Sequence, residues 1–196
     1  MLSALLVSLR EGLEAALVVG ICLVYLQKIG RPELRRAVWY GVTAALAASL
    51  AGAVLLERFA VNQEWVEGVL MLVAAALLVS MIVWMRRVAR TLRRDIEGKV
   101  GEFAGRGRFA ALGLFAFVFT MVVREGIETV IFLSAVALNT EGLFLAVGTV
   151  LGLAAAVVIG ILFFKGALPI QLHRFFQVTS VMLMVIAVQL VLTGVH

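Results

Sequence analysis

Apolar residues run along this chain in six long blocks, at about 3–26, 37–56, 65–85, 109–138, 142–164 and 175–194, separated by short polar or basic connections. A helix needs roughly 20 residues to cross a hydrocarbon layer about 30 Å thick, and each block reaches or approaches that length. The pattern predicts an all-α polytopic membrane protein with six transmembrane helices. The first block has no basic residue before Leu2, keeps its charges in the middle at Arg10, Glu11 and Glu14, and stays apolar to Leu26, so it reads as a retained first helix and not as a signal peptide.

Two of the blocks are interrupted in the same way: VSLREGLEAALVV occupies 7–19, and MVVREGIETVIFL occupies 121–133. Helix 1 and predicted helix 4 cross in opposite directions. Residues 1–85 and 109–196 are therefore expected to form two inverted three-helix repeats within one integral membrane domain of 1–196, joined by a basic connection at 86–108. A pseudo-two-fold axis in the membrane plane would bring both motifs to related depths near the midplane.

Within each motif the spacing carries chemistry. Glu11 and Glu14 are three residues apart, as are Glu125 and Glu128, so each helix presents two carboxylates about one turn apart on one face. Arg10 and Arg124 stand four residues before Glu14 and Glu128, where a guanidinium holds a carboxylate in place without binding a cation itself. Gly12 and Gly126 are expected to let helices 1 and 4 approach closely. A charged residue at a helix centre costs about 2.5–3.5 kcal/mol to insert, so all six must pair or bind an ion. The four glutamates and two arginines leave a formal charge of −2, and Glu67, near the start of helix 3, adds another acid. Repulsion among these acids makes a cation a natural occupant, with proton-linked binding. The competing reading is two buried ion pairs that only hold helices together, and it leaves Glu11 and Glu125 without a role.

Composition agrees: 63% of residues are hydrophobic and 15% charged, against about 25% charged in soluble domains. The net charge of +5 would suggest nucleic acid in a soluble protein. Here the basic residues fall in the connections after helices 1, 3 and 5, which the positive-inside rule places in the cytoplasm. That assigns no nucleic acid, the lipid bilayer as surroundings, a multi-pass place in the cytoplasmic membrane, and an amino terminus outside. The 86–108 stretch is expected to prolong helix 3 into the headgroups until Gly98, Gly101, Gly105 and Gly107 break it, with no recognition role.

Other polar residues change little. Cys22 is the single cysteine and excludes a disulfide within the chain. The methionines read as packing residues, and the central acids are hard oxygen donors suited to iron, manganese or magnesium. Ser8, Thr120 and Thr129 lie near the motifs but more often satisfy backbone carbonyls. His173 and His196 fall outside the midplane, and Glu57 and Glu64 read as outer loop acids. No nucleotide-binding loop or nucleophile–base pair is present, so the chain does not read as an enzyme.

REGLE at 10–14 and REGIE at 124–128 resemble the paired motifs of the oxidase-dependent iron permease family, which includes fungal high-affinity iron permeases and bacterial elemental-iron transporter permeases. The 65–85 and 175–196 segments are similar to that family's third and sixth helices. The resemblance implies inward iron transport across the cytoplasmic membrane, with iron as Fe2+ or Fe3+ the cargo and no permanently bound cofactor. It implies Glu11, Glu14, Glu125 and Glu128 as iron ligands organised by Arg10 and Arg124, with Glu67 on the way in. It also implies an extracytoplasmic iron-oxidising or iron-delivery partner, and a homo-oligomer is compatible with it. Members usually carry seven membrane helices where six are expected here, a difference that bears on assembly more than on the motif-bearing core. The alternatives are a proton-coupled transporter of another divalent cation such as manganese or lead, and a non-transporting membrane assembly protein.

Overall fold

The computed structural model describes residues 1–60, 64–88, 91–138 and 140–164 together with a few positions between 179 and 188, and leaves undescribed the side chains at 57, 59, 60, 64–67 and 84–88. The described residues form helix α1 (Leu2–Lys28), a 3-10 turn (Pro32–Leu34), α2 (Arg35–Ala60), α3 (Glu64–Val88), α4 (Leu92–Ala104), a second 3-10 turn (Gly107–Phe109), α5 (Ala110–Ala137) and α6 (Gly142–Phe164). The chain is an all-α, multi-pass membrane protein. Three of its described helical stretches, Pro32–Leu56, Gly107–Ala137 and Gly142–Phe164, are long and apolar enough to cross a bilayer. The 27-residue α1 is equally long but carries Arg10, Glu11 and Glu14 inside it. Predicted helices 1 to 5 correspond to α1, α2, α3, α5 and α6, whereas the expected sixth helix at 175–194 lies largely outside the described residues.

Small residues set the packing of α1 on α6. Ala4, Ser8, Gly12 and Ala16 recur every four residues on α1, and Gly148, Gly152, Ala156 and Gly160 do the same on α6. They meet in order. A Cβ at Gly148 would lie 3.2 Å from the Ala4 Cβ, one at Gly152 2.9 Å from the Ser8 Cβ, one at Gly12 2.9 Å from the Ala156 Cβ, and one at Gly160 3.1 Å from the Ala16 Cβ. Ascending numbers pair with ascending numbers, so α1 and α6 run parallel. Without a hydrophobic force between helices in lipid, such backbone approach supplies the van der Waals contact that holds them.

A corresponding contact joins α2 to α5: Gly41 packs on the Phe115–Phe119 backbone, and Gly126 on Ser49, again in parallel register. These two interfaces, α1 with α6 and α2 with α5, are the most extensive in the described structure. The expectation that Gly12 and Gly126 bring α1 and α5 together is corrected here, because the partners are α6 and α2. The reason is angular: at 100° per residue Gly12 sits about 130° around the helix from the middle of the Glu11/Glu14 face. The glycine and acid faces therefore meet different neighbours.

The basic connection is also more ordered than expected. Gly98 and Gly101 do not break it; they lie within α4, a separate helix that starts beyond the end of α3. Ile96, Val100 and Ala104 are buried at four-residue spacing, and this stripe docks the helix on α1 and α5. The bare backbone at Gly101 admits the Tyr25 hydroxyl, which a Cβ would approach to 3.0 Å. The turn into α5 comes at Gly107, whose φ of 58° suits glycine. Arg31 Nη2 donates to the carbonyl of Ala104 at 2.6 Å, so the α1–α2 connection and the end of α4 meet on one side of the bundle.

Candidate metal centre

Because the small-residue stripe turns one face of α1 toward α6, its acid face is left for α5. The two helices pass antiparallel, with Glu11 level with Glu125 and Glu128. One carboxylate oxygen from each of these three residues lies within 4.8 Å of the other two. Glu11 is 1% and Glu125 7% exposed, on helices that approach from different parts of the sequence. Both oxygens of Glu11 and Oε2 of Glu125 and of Glu128 are buried without a hydrogen-bond partner among the described residues. Buried polar oxygens in native proteins are nearly always satisfied, and apart from the 3.5 Å contact of Glu11 Oε1 with Arg10 these have no donor among the described residues, so the cluster suits a cation.

The two arginines occupy the positions the spacing implies, in different surroundings. Arg10 is fully buried, 3.5 Å from Glu11 and 3.4 Å from Glu14. Its Nη1 donates to Sδ of Met81 on α3 at 2.8 Å. Arg124 donates from Nε to Oε1 of Glu128 at 2.9 Å, with its side chain 43% exposed. The motif on α1 is thus enclosed and the one on α5 open on one flank.

Glu14 stands apart from the three-oxygen cluster. It lines a cavity of about 330 Å³ between α1, α4 and α5, together with Glu125 and Arg124. The cluster and the cavity share Glu125. Residues from α4, among them Asp95 and Lys99, form the far wall of the cavity, and the sequence alone gave no reason to associate them with the acids.

The threonine hydroxyls turn back to the backbone: Thr120 and Thr129 donate from Oγ1 to the carbonyls of Ala116 and Glu125, at 2.8 and 2.7 Å. The Cβ of Ser8 packs toward Gly152 of α6, and its Oγ is buried without a hydrogen-bond partner among the described residues. Met81 is the contact that sequence reasoning missed, since a methionine among many apolar residues carries no mark of its partner. The side chains of Glu57, Glu64 and Glu67, and both histidines, lie outside the described residues.

A sequence model of the iron permease FTR1 family matches residues 1–196, the whole length of the chain. The chain belongs to that family. Its curated relatives include the ferrous iron permease EfeU of Yersinia pestis, 34% identical over 187 residues that cover 93% of this chain and 66% of that protein. They also include the ferrous iron permease EfeU of Escherichia coli O157:H7, 35% identical over 187 residues covering 93% of this chain and 68% of that protein. The chain thus spans about two-thirds of the length of the relatives it matches. No solved structure matches it. Members of the FTR1 family are transporters and not enzymes.

Proposed function

We propose that this chain is an iron permease that moves ferrous iron inward through the carboxylate cluster of α1 and α5. The observation that carries the reading is the meeting of Glu11, Glu125 and Glu128 oxygens within 4.8 Å in a buried place. Carboxylate oxygens can hold iron in either oxidation state, and the ferrous reading is taken from the relatives at 34–35% identity, which are named for ferrous iron. Glu11, Glu125 and Glu128 hold the cargo, Glu14 receives it on the cavity side, and Arg10 and Arg124 position the carboxylates. Glu67 is assigned to the outer approach on the strength of its place near the start of α3.

The six helices form two inverted repeats in this reading. Its support is the exchange of partners: α1 packs on α6 while α5 packs on α2, each pair parallel, with the motif glycine at each contact. A rocking of one repeat against the other would open the cluster alternately to either side. The bond from Arg31 to Ala104 joins two basic connections, and the excess of Lys and Arg there makes that side cytoplasmic and the amino terminus outside.

The test is binding. Anaerobic titration of the purified chain with Fe2+ should show a saturable site that Glu11→Gln and Glu125→Gln each weaken by at least tenfold while the helical circular dichroism is unchanged. Undiminished binding in both variants would exclude the cluster as the iron site.

A further inference from the structure

The cavity beyond Glu14 combines charged and apolar walls. Its lining takes Glu14, Arg124 and Glu125 from the motif helices and Asp95 and Lys99 from α4, with Val18, Phe117 and Met121 among its apolar residues. Asp95 and Lys99 are exposed, so the cavity reaches the surface at α4. They lie one turn apart and flank Ile96, whose burial fixes which way this stretch of α4 faces.

The acids of α4 differ in what they do. Glu97 is held by Arg93 at 2.8 Å, and Glu102 is held by Arg106. Asp95 makes no ion pair among the described residues, and it is the acid of α4 that lines the cavity. Lys99 is also turned inward, with Nζ 5.8 Å from the centre of the Phe117 ring.

An ion leaving a buried cluster through an apolar passage needs a second site, weaker than the first, from which it can escape to water. A carboxylate at the solvent end of the cavity meets that need, because water screens its attraction far more than the interior does. We propose that the cavity between α1, α4 and α5 is the inner vestibule of the ion path, that Asp95 is its release ligand, and that Lys99 beside it limits how long the cation stays. This inference rests on the iron-permease reading and adds to it a site on a helix outside both REGxE motifs. The basic connection then has a part in transport beyond setting orientation.

The experiment uses proteoliposomes of the full chain and measures initial Fe2+ uptake and Fe2+ binding side by side. Asp95→Asn should slow uptake by about tenfold or more, since a carboxylate attracts a doubly charged ion by about twice the screened energy of a unit pair, and leave binding at the cluster unchanged. Asp95 also lies in the first turn of α4, where a carboxylate can stabilise the helix. The double variant Asp95→Asn/Arg94→Glu separates the two roles, since it returns a carboxylate to the first turn of α4 at a residue that does not line the cavity and leaves Lys99 in place. Uptake that stays slow in the double variant supports the release role. Normal uptake in Asp95→Asn overturns it, as does recovery of uptake in the double variant, which would assign the loss to the stability of α4. Glu125→Gln, run in parallel, separates the two levels: if it leaves both binding and uptake intact, the cluster reading itself has failed, whereas its loss alongside a normal Asp95→Asn removes only the vestibule role.

Discussion

Gly12 of α1 lies so close to Ala156 of α6 that a Cβ on the glycine would come within 2.9 Å of the alanine methyl. This contact fixes the rotation of α1 and, through it, the direction of the acids. With Gly12 against α6, Glu11 and Glu14 turn toward α5 and the cavity. The motif glycine thus positions the carboxylates by packing on a helix that holds none of them.

Enlarging this interface should therefore damage both fold and site. Gly152 is the more demanding position, because a Cβ there would lie 2.5 Å from the carbonyl oxygen of Leu5. Gly152→Ala is expected to destabilise by about 1–3 kcal/mol, the usual effect of overpacking, and Gly152→Leu to prevent a stable fold. Thermal unfolding in detergent checks this; an unchanged midpoint in Gly152→Leu would contradict the α1–α6 packing.

The two arginines should behave differently although their motifs are nearly identical. Arg10 is completely buried between Glu11 and Glu14, so Arg10→Met leaves buried carboxylates uncompensated and should cost about 3–5 kcal/mol. Arg124 is 43% exposed and pairs with Glu128, so its removal leaves less buried charge uncompensated. Arg124→Met should therefore cost less than Arg10→Met. Equal losses in denaturant unfolding would show that the asymmetry between the two motifs has no energetic consequence.

Glu11 separates transport from a merely structural pairing of charges. Glu11→Ala retains the Arg10–Glu14 pair at 3.4 Å, so under the transport reading it abolishes Fe2+ uptake with the fold intact. A large fall in melting temperature with uptake preserved would favour an assembly role instead. Competition addresses the choice of metal: Fe2+ binding should withstand a hundredfold excess of Mn2+, and displacement by an equimolar amount would point to a broader divalent transporter.

Much of this arrangement was legible in the sequence, and the limits have physical causes. Block length placed α1, α2, α3, α5 and α6 within a few residues of their observed ends, because a spanning helix has to match the hydrocarbon thickness. The i,i+4 ion pairs within each motif followed from helical geometry alone. Contacts between distant segments did not. Met81 lies 71 residues from Arg10, and a one-dimensional pattern carries no sign of which methionine will meet it. In the 86–108 stretch Gly98 and Gly101 read as the end of a prolonged helix 3, whereas Ile96, Val100 and Ala104 form a narrow stripe that holds a separate helix when docked on α1 and α5. That docking also brings Asp95 to the cavity, so it could not be seen without the fold.

The most direct measurement is initial Fe2+ uptake into proteoliposomes under anaerobic conditions, comparing the intact chain with Glu125→Gln, whose carboxylate belongs to both the three-oxygen cluster and the cavity. The account predicts saturable uptake by the intact chain and loss of at least tenfold in the variant, with equal protein incorporation and helicity. Equal uptake by the two would contradict it.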